Sequence, residues 1–246
     1  MKHPLTVFGL VCIVISFVPL FLMARETYIN NSINKRYDIS HTYMEHGFPS
    51  SIDTQKIEVN DFTIEIKEEP TGKKAPKTWW DTEEGGGDIV KLQLLVNGKE
   101  VSAADDIALS SSNRSSRYWS WLDVLLVENK KNGQEQIAIV QRLSEDNAIQ
   151  EDYRWKIIFI AEDGKLSEEE IQYHTRSENL LAVRLIGFSG TSLIGMGYYS
   201  DLLHYYPTLF YPLLYPFGTM AAGIILLLLG LFLQRQRGRH TRLNPK

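Results

Sequence analysis

Residues 4–23 read PLTVFGLVCIVISFVPLFLM, twenty positions without a charged side chain. An α-helix rises about 1.5 Å per residue, so this stretch is about 30 Å long, the thickness of the hydrocarbon core of a membrane. A cleaved signal peptide is the alternative, but cleavage after Ala24 would place Leu22 where a small residue is required. We therefore expect an uncleaved transmembrane helix.

A second uncharged stretch covers residues 205–233 near the C-terminus. Its first part, YYPTLFYPLLYPFG, is rich in tyrosine, phenylalanine and proline, which suits an irregular segment at the depth of the lipid headgroups. Its last part, residues 220–233, is almost entirely aliphatic. The pattern predicts an interfacial segment followed by a second transmembrane helix over about 213–233.

The distribution of charge predicts the orientation. Lys2 is the only charged side chain before the first helix, and the tail after the second helix is basic without any acid: Arg235, Arg237, Arg239, Arg242 and Lys246. Basic flanks stay in the cytoplasm, so we expect both termini inside and residues 24–207 outside the plasma membrane. The outer segment then holds 20 of the 26 basic residues and all 30 acidic residues, a net charge of −10. The basic tail is interpreted as a topology signal that contacts anionic lipid, not as a nucleic-acid site.

Small residues on both helices predict that the helices pack together. Gly9, Cys12 and Ser16 share one face of the first helix, and Gly218 and Ala222 form a small-xxx-small pair on the second. Cys12 is the chain's single cysteine and would lie inside the membrane. A disulfide framework and a multi-cysteine zinc site are therefore excluded.

The middle of the chain alternates between apolar and polar residues, as in strands with one buried face. Examples are residues 62–67, 90–96, 153–159 and 181–185. Asn97-Gly98, Asn132-Gly133 and Asp163-Gly164, with the weaker Asn60-Asp61, supply hairpin turns because these dipeptides accept positive φ. We predict a mainly β fold over residues 51–204, between the two helices: an antiparallel meander that forms either a sandwich or an open barrel. Residues 24–50 are predicted to be a stalk that continues the first helix.

No catalytic motif stands out. His41 and His46 are five residues apart, which is not the spacing of a zinc helix, so solvated loop histidines are the simpler interpretation. Gly187-Phe188-Ser189-Gly190-Thr191 lacks the second glycine of a nucleophile elbow and is interpreted as a turn between strands. Phosphate-binding and dinucleotide-binding motifs do not occur. We expect no cofactor, no metal and no nucleic-acid partner.

The least regular stretch is EPTGKKAPKTWWDTEEGGGD, residues 69–88. It is predicted to be a loop, and loops of this length are functional or disordered. Trp79, Trp80 and Asp81 are its candidate contacts with a ligand or partner, since tryptophan stacks on sugars and anchors interfaces. A calcium loop and a mobile surface loop are the alternatives.

These features predict a membrane-anchored interaction or sensing module without catalytic activity. The tails outside the helices are short, so a signal would have to pass through contacts with another membrane protein. A glycan-binding protein or hydrolase using the Trp79-Trp80 loop and an accessory subunit of a transporter are the alternatives. The two-helix topology with a cysteine-free outer segment resembles many envelope proteins of Gram-positive bacteria; the oligomeric state is left open.

Overall fold

The structure is a computed structural model of the 246-residue chain. It describes residues 4–42, 44–45, 48–49, 55–75, 87–109, 118, 121–144, 149–192, 195–202 and 213–243. These residues form two compact units, which are treated separately below. The helix-pair unit comprises Met1–Asn31 with Gly195–Lys246, and the β unit comprises Ser32–Ile194.

Three α-helices occur in the described residues: α1 (Pro4–Arg36), α2 (Leu180–Ser189) and α3 (Thr219–Leu243). Helix α1 has 33 residues and contains Pro19. It continues thirteen residues beyond the predicted apolar stretch, so the first part of the predicted stalk is helical. An irregular helical turn, Leu213–Gly218, precedes α3. Pro4–Arg36 and Leu213–Gln236 are both long and apolar enough to cross a membrane.

Eleven strands are present in the part of the chain that the structure describes. They are β1 (Tyr37–His41), β2 (Met44–Glu45), β3 (Phe48–Pro49), β4 (Lys56–Val59), β5 (Phe62–Lys74), β6 (Asp88–Val96), β7 (Lys99–Leu109), β8 (Leu122–Asn129), β9 (Gln134–Arg142), β10 (Arg154–Ala161) and β11 (Leu166–Gln172). One sheet has the order β1-β8-β9-β10-β11, a second has the order β4-β5-β6-β7, and β2 pairs with β3. All of the pairings are antiparallel.

The two larger sheets share one apolar core, so the β unit is a sandwich. Ile64, Leu94 and Ile107 of the four-stranded sheet belong to the same cluster as Val124 and Ile139 of the five-stranded sheet. Successive side chains of a strand point to opposite faces, so the alternation seen in the sequence supplies one buried face for each strand. The prediction of a mainly β, antiparallel middle segment is confirmed at this level.

The hairpin turns lie where the sequence predicts them. Asn60-Asp61 joins β4 to β5, Asn97-Gly98 joins β6 to β7, and Asp163-Gly164 joins β10 to β11. Asn60, Asp61 and Asn97 have positive φ, as do the glycines of the predicted dipeptides. Local turn chemistry therefore sets the register of the meander.

One predicted strand is wrong, since residues 180–189 form α2. The alternation of Leu181, Val183 and Leu185 predicted a strand, yet Ala182 and Ile186 are also buried, which is a helical pattern. The Asn179 side chain accepts a hydrogen bond from the Ala182 N–H, and Gly190 ends the helix with φ 71°. Both are standard helix-end signals. Helix α2 contacts β8 and β9 and covers the outer face of the five-stranded sheet.

Two further boundaries differ from the prediction. Strand β1 follows α1 without a linker and pairs with β8, so part of the predicted stalk belongs to the sandwich. Part of the stretch predicted as a loop, residues 69–88, belongs to strands, because β5 runs to Lys74 and pairs there with Asp88 of β6. Positive φ at Gly72 accompanies a shift in register between Pro70 and Lys73, which lets the strand pass the proline.

Candidate functional site

The helix-pair unit brings α1 and α3 into backbone contact. A Cβ atom on Gly9 would lie 2.6 Å from the backbone nitrogen of Leu227 and 2.7 Å from the carbonyl oxygen of Gly223. A Cβ atom on Gly230 would lie 2.7 Å from the backbone nitrogen of Thr6. Only glycine allows this separation, and close approach of this kind is typical of paired membrane helices.

The predicted small residues on α1 lie in this contact. Cys12 is half-buried, and its Cβ lies 3.0 Å from where a Cβ on Gly223 would be. The Ser16 hydroxyl is fully buried and lies 2.6 Å from the Thr219 hydroxyl, so the two share a hydrogen bond. The Tyr215 hydroxyl donates a hydrogen bond of 3.2 Å to the carbonyl of Ile15.

The face of α3 that contacts α1 is shifted by one position along the sequence from the predicted face. Gly223 is buried against α1, whereas Ala222 is exposed. Gly218 lies against the carbonyl oxygen of Leu213, within its own turn, and not against α1. Small residues occur at both registers, so their spacing alone could not distinguish Gly218 and Ala222 from Thr219 and Gly223. The predicted topology-setting residues lie in α3, where Arg235 is exposed; of the side chains of Arg237, Arg239 and Arg242, nothing is described.

A buried carboxylate lies three residues after the apolar stretch of α1. Glu26 is 2% exposed, and its two oxygens accept three backbone N–H bonds: from Tyr198 at 2.6 Å, Tyr199 at 2.8 Å and Ser200 at 3.1 Å. We call this arrangement the Glu26 clasp. Buried carboxylates require such donors because an unpaired buried charge is costly.

Neighbouring contacts surround the Glu26 clasp. The Tyr198 hydroxyl donates to the Asn30 side chain at 3.0 Å, one turn further along α1. The guanidinium of Arg25 lies 3.5 Å from the centre of the Tyr199 ring, within the range of a cation–π interaction. A Cβ on Gly197 would lie 1.9 Å from the Ser200 carbonyl oxygen, so the turn requires glycine there. The clasp fixes the chain before α3 to the end of α1's apolar stretch.

A second polar cluster lies in the β unit, where β1, β8 and α2 meet. The His41 Nδ1 lies 3.0 Å from Asp123 Oδ2, and the two side chains are 15% and 8% exposed. The Phe188 ring of α2 is stacked on the imidazole, with ring centres 4.7 Å apart. The interpretation of His41 as a solvated loop residue is therefore wrong: β1 carries it into the sheet.

Burial raises the pKa of Asp123, and the favourable contact with His41 opposes this rise. The second carboxylate oxygen accepts the N–H of Val124 at 2.8 Å, which also lowers the pKa. We call His41, Asp123 and Phe188 the His41–Asp123 cluster.

The remaining sequence candidates contribute no catalytic arrangement to the described part of the chain. Ser189 is buried at the end of α2, and its hydroxyl donates to the carbonyl of Ile186 at 2.9 Å. No group of three or more His, Cys, Asp or Glu side chains suited to a metal occurs among the described residues. Trp79, Trp80, Asp81 and His46 lie outside those residues.

The end of the sandwich opposite the β8–β9 hairpin holds a buried arginine. The Arg142 guanidinium lies 3.8 Å from the centre of the Trp121 ring, and the Trp121 indole donates to the carbonyl of Ala108 at 3.3 Å. A small cleft beside them has room for about one water molecule and includes Gln93 and Gln141 in its lining. This cleft is too small for an organic ligand.

Comparison with known proteins adds no relatives. No family model matches the chain, and neither the curated proteins nor the solved structures include a significant match.

Proposed function

We propose that the protein is a membrane-anchored interaction or sensing module of a bacterial cell envelope, without catalytic activity of its own. The observation that carries the proposal is the packing of α1 on α3 through Gly9, Gly223 and Gly230, with large apolar side chains left on the outside. Val14 is 62% exposed and Leu228 is 60% exposed. Exposed apolar surface of this extent needs lipid or a partner helix to cover it.

In the proposed topology both termini are cytoplasmic and residues 24–207 are outside. The basic residues after residue 233 and the net charge of −10 between the helices support this orientation. The test uses single cysteines in a Cys12→Ala background and a membrane-impermeant maleimide added to intact cells. Lys131→Cys, in the exposed β8–β9 turn, should be labelled, and Gln236→Cys, exposed on α3, should be labelled only after lysis. The reverse pattern would contradict the orientation.

The proposed partner is another membrane protein that contacts the outer faces of the helix pair. Glycine and hydroxyl side chains occupy the α1–α3 contact, so the outward surface consists of bulky apolar residues such as Phe8, Phe17 and Phe232. In lipid, helices associate by close packing and not by a hydrophobic driving force. A partner must therefore fit the shape of this surface.

Site-specific photocrosslinking tests for such a partner. A photoreactive residue replaces Val14 or Leu228 in the full chain in cells, and Tyr28, which is 75% exposed beyond the apolar stretch, serves as the control position. A partner is expected to give one crosslinked product of fixed mass from Val14 or Leu228 and none from Tyr28. Products formed only with lipid at both positions would overturn the proposed interaction.

A further inference from the structure

An exposed arginine follows the apolar stretch of α1 and is stacked on an aromatic ring. Arg25 lies two residues after Met23, the last residue of that stretch, and its guanidinium is 3.5 Å from the centre of the Tyr199 ring. The Glu26 clasp fixes the backbone of Tyr199 and so fixes the position of the ring's attachment. Stacking uses the face of a guanidinium and leaves the N–H donors in its plane available.

These donors are not used by the residues that the structure describes, since within them the Arg25 side chain forms neither an ion pair nor a hydrogen bond. The carboxylates close to it in the helix-pair unit accept backbone N–H groups instead. Glu26 is buried and accepts those of the clasp, and Asp201 accepts that of Gly197 at 2.9 Å. A guanidinium with free donors in its plane matches the oxygens of a phosphate, which it binds through parallel hydrogen bonds.

The residues one turn to either side of Arg25 on α1 suit a phospholipid better than a free phosphate. Phe21 precedes Arg25 by four residues and Tyr28 follows it by three, so the three share one side of the helix. Phe21 is 57% exposed and its ring is stacked with that of Phe17, and Tyr28 is 75% exposed. The order of apolar ring, cation and tyrosine along α1 matches the order of acyl chain, phosphate and headgroup in one leaflet.

We propose that Arg25 and the Tyr199 ring form a binding site for the phosphate of an anionic phospholipid, whose acyl chain lies along Phe21. Arg25 donates hydrogen bonds to the phosphate oxygens, and the Tyr199 ring positions the guanidinium by stacking on its face. The negative charge of the phosphate complements the charge of Arg25, which has no carboxylate partner among the described residues. The inference deepens the proposed function and rests on it, because Arg25 reaches a phospholipid only if α1 crosses the membrane.

Native mass spectrometry of the full chain, released from micelles that contain phosphatidylglycerol, tests the proposal by counting the lipids that stay bound. Arg25→Gln should bind one lipid at least about tenfold more weakly than the unmodified chain, a factor that corresponds to one hydrogen bond to a charged group. Lys131→Gln, which removes an exposed cation from the β8–β9 turn, is the control and should bind as many lipids as the unmodified chain. Tyr199→Leu should weaken the same lipid, whereas Tyr199→Phe should retain it because a phenyl ring can still stack.

Two further probes separate the phospholipid from its parts. Diacylglycerol, which lacks the phosphate, should bind equally to the unmodified chain and to Arg25→Gln. Inorganic phosphate at millimolar concentration should not displace phosphatidylglycerol. Displacement by inorganic phosphate would show an anion site that does not need a lipid, and it would overturn the inference.

Equal binding of phosphatidylglycerol by Arg25→Gln and the unmodified chain would also overturn the inference. The maleimide labelling described above separates this failure from a failure of the proposed function, and it shows whether the variant is inserted normally. Unchanged labelling together with equal lipid binding would remove only the phospholipid site. A chain that does not insert in the membrane would contradict both proposals.

Discussion

The carboxylate of Glu26 accepts the backbone N–H of Tyr198 at 2.6 Å, joining two residues that are 172 positions apart in the sequence. The other two donors of the Glu26 clasp, Tyr199 and Ser200, are also backbone N–H groups. Side-chain identity at residues 198–200 therefore contributes nothing to these three bonds. The turn needs glycine at position 197 and a carboxylate at the position of Glu26 on α1.

Glu26→Ala is expected to release residues 198–200 from α1. The Tyr198 N–H is buried, and leaving it without an acceptor costs about 1–3 kcal/mol, so the helix-pair unit should be destabilised by at least this amount. The N–H groups of Tyr199 and Ser200 are only part-buried and add less. The stability of Glu26→Gln should lie between that of Glu26→Ala and that of the unmodified chain. Its amide oxygen can still accept a hydrogen bond, but its NH₂ group faces an N–H donor. Hydrogen exchange at residues 198–200 measures the effect in micelles, with the exposed Glu178→Gln as the control. Unchanged protection in Glu26→Ala would contradict the role of the clasp.

The register of the helix pair gives a second prediction. Gly223→Val should destabilise the contact by about 1–3 kcal/mol, because its side chain would meet the Gly9 carbonyl oxygen, which already lies 2.9 Å from a Cβ at that position. Ala222→Val should have little effect, since Ala222 is exposed.

A disulfide between adjacent positions measures this difference. Ser16→Cys and Thr219→Cys are combined in a Cys12→Ala background, where the native hydroxyl oxygens lie 2.6 Å apart. Mild oxidation should crosslink the helices, and Gly223→Val should reduce the yield while Ala222→Val should not. Equal yields in the two valine variants would favour the register through Gly218 and Ala222.

The hairpins could be predicted from the sequence because their causes are local. Asn97-Gly98 and Asp163-Gly164 encode their turns within two residues, and the flanking alternation assigns the faces. The Glu26 clasp could not be predicted, because its donors belong to the backbone and carry no sequence signal. The His41–Asp123 cluster likewise depends on the pairing of β1 with β8, across about 80 residues.

The mistaken strand at residues 181–185 shows where pattern alone fails. A run of apolar residues that is buried on most sides satisfies both a strand and a helix period. The end signals were present in Asn179 and Gly190, and they decide the assignment. Capping residues should be given more weight than alternation in short apolar runs.

Two glycines near the end of α2 provide a third prediction. Gly187 is exposed inside the helix, and a Cβ atom added there would meet nothing within 4 Å beyond its chain neighbours and the backbone of its own helix. Gly187→Ala should therefore stabilise the β unit by about 0.5–1 kcal/mol. Gly190 has φ 71°, so Gly190→Ala should destabilise it by about 1 kcal/mol. Urea unfolding followed by tryptophan fluorescence measures both changes. The two substitutions should change the free energy of unfolding in opposite directions. Stabilisation by Gly190→Ala would contradict the assignment of Gly190 as the residue that ends α2.

The pH dependence of stability gives the last prediction, for Asp123→Asn. Burial raises the pKa of Asp123 in the folded chain, so the folded state binds this proton more tightly than the unfolded state does. The resulting stability is complete below about pH 3.9, the ordinary value for an aspartate, and is lost as pH rises through the raised pKa. Asparagine cannot ionise and lacks this loss, so the free energy of unfolding of the variant should increase relative to the unmodified chain across that range.

Urea unfolding of the full chain in micelles, between about pH 4 and pH 7, checks this sign. Asp152→Asn is the matched control, because Asp152 is exposed on the turn Gln150–Asp152. Its difference from the unmodified chain should stay flat over the same interval. A flat difference for Asp123→Asn as well would mean that the carboxylate is as well solvated in the folded chain as in the unfolded one, contrary to its 8% exposed side chain.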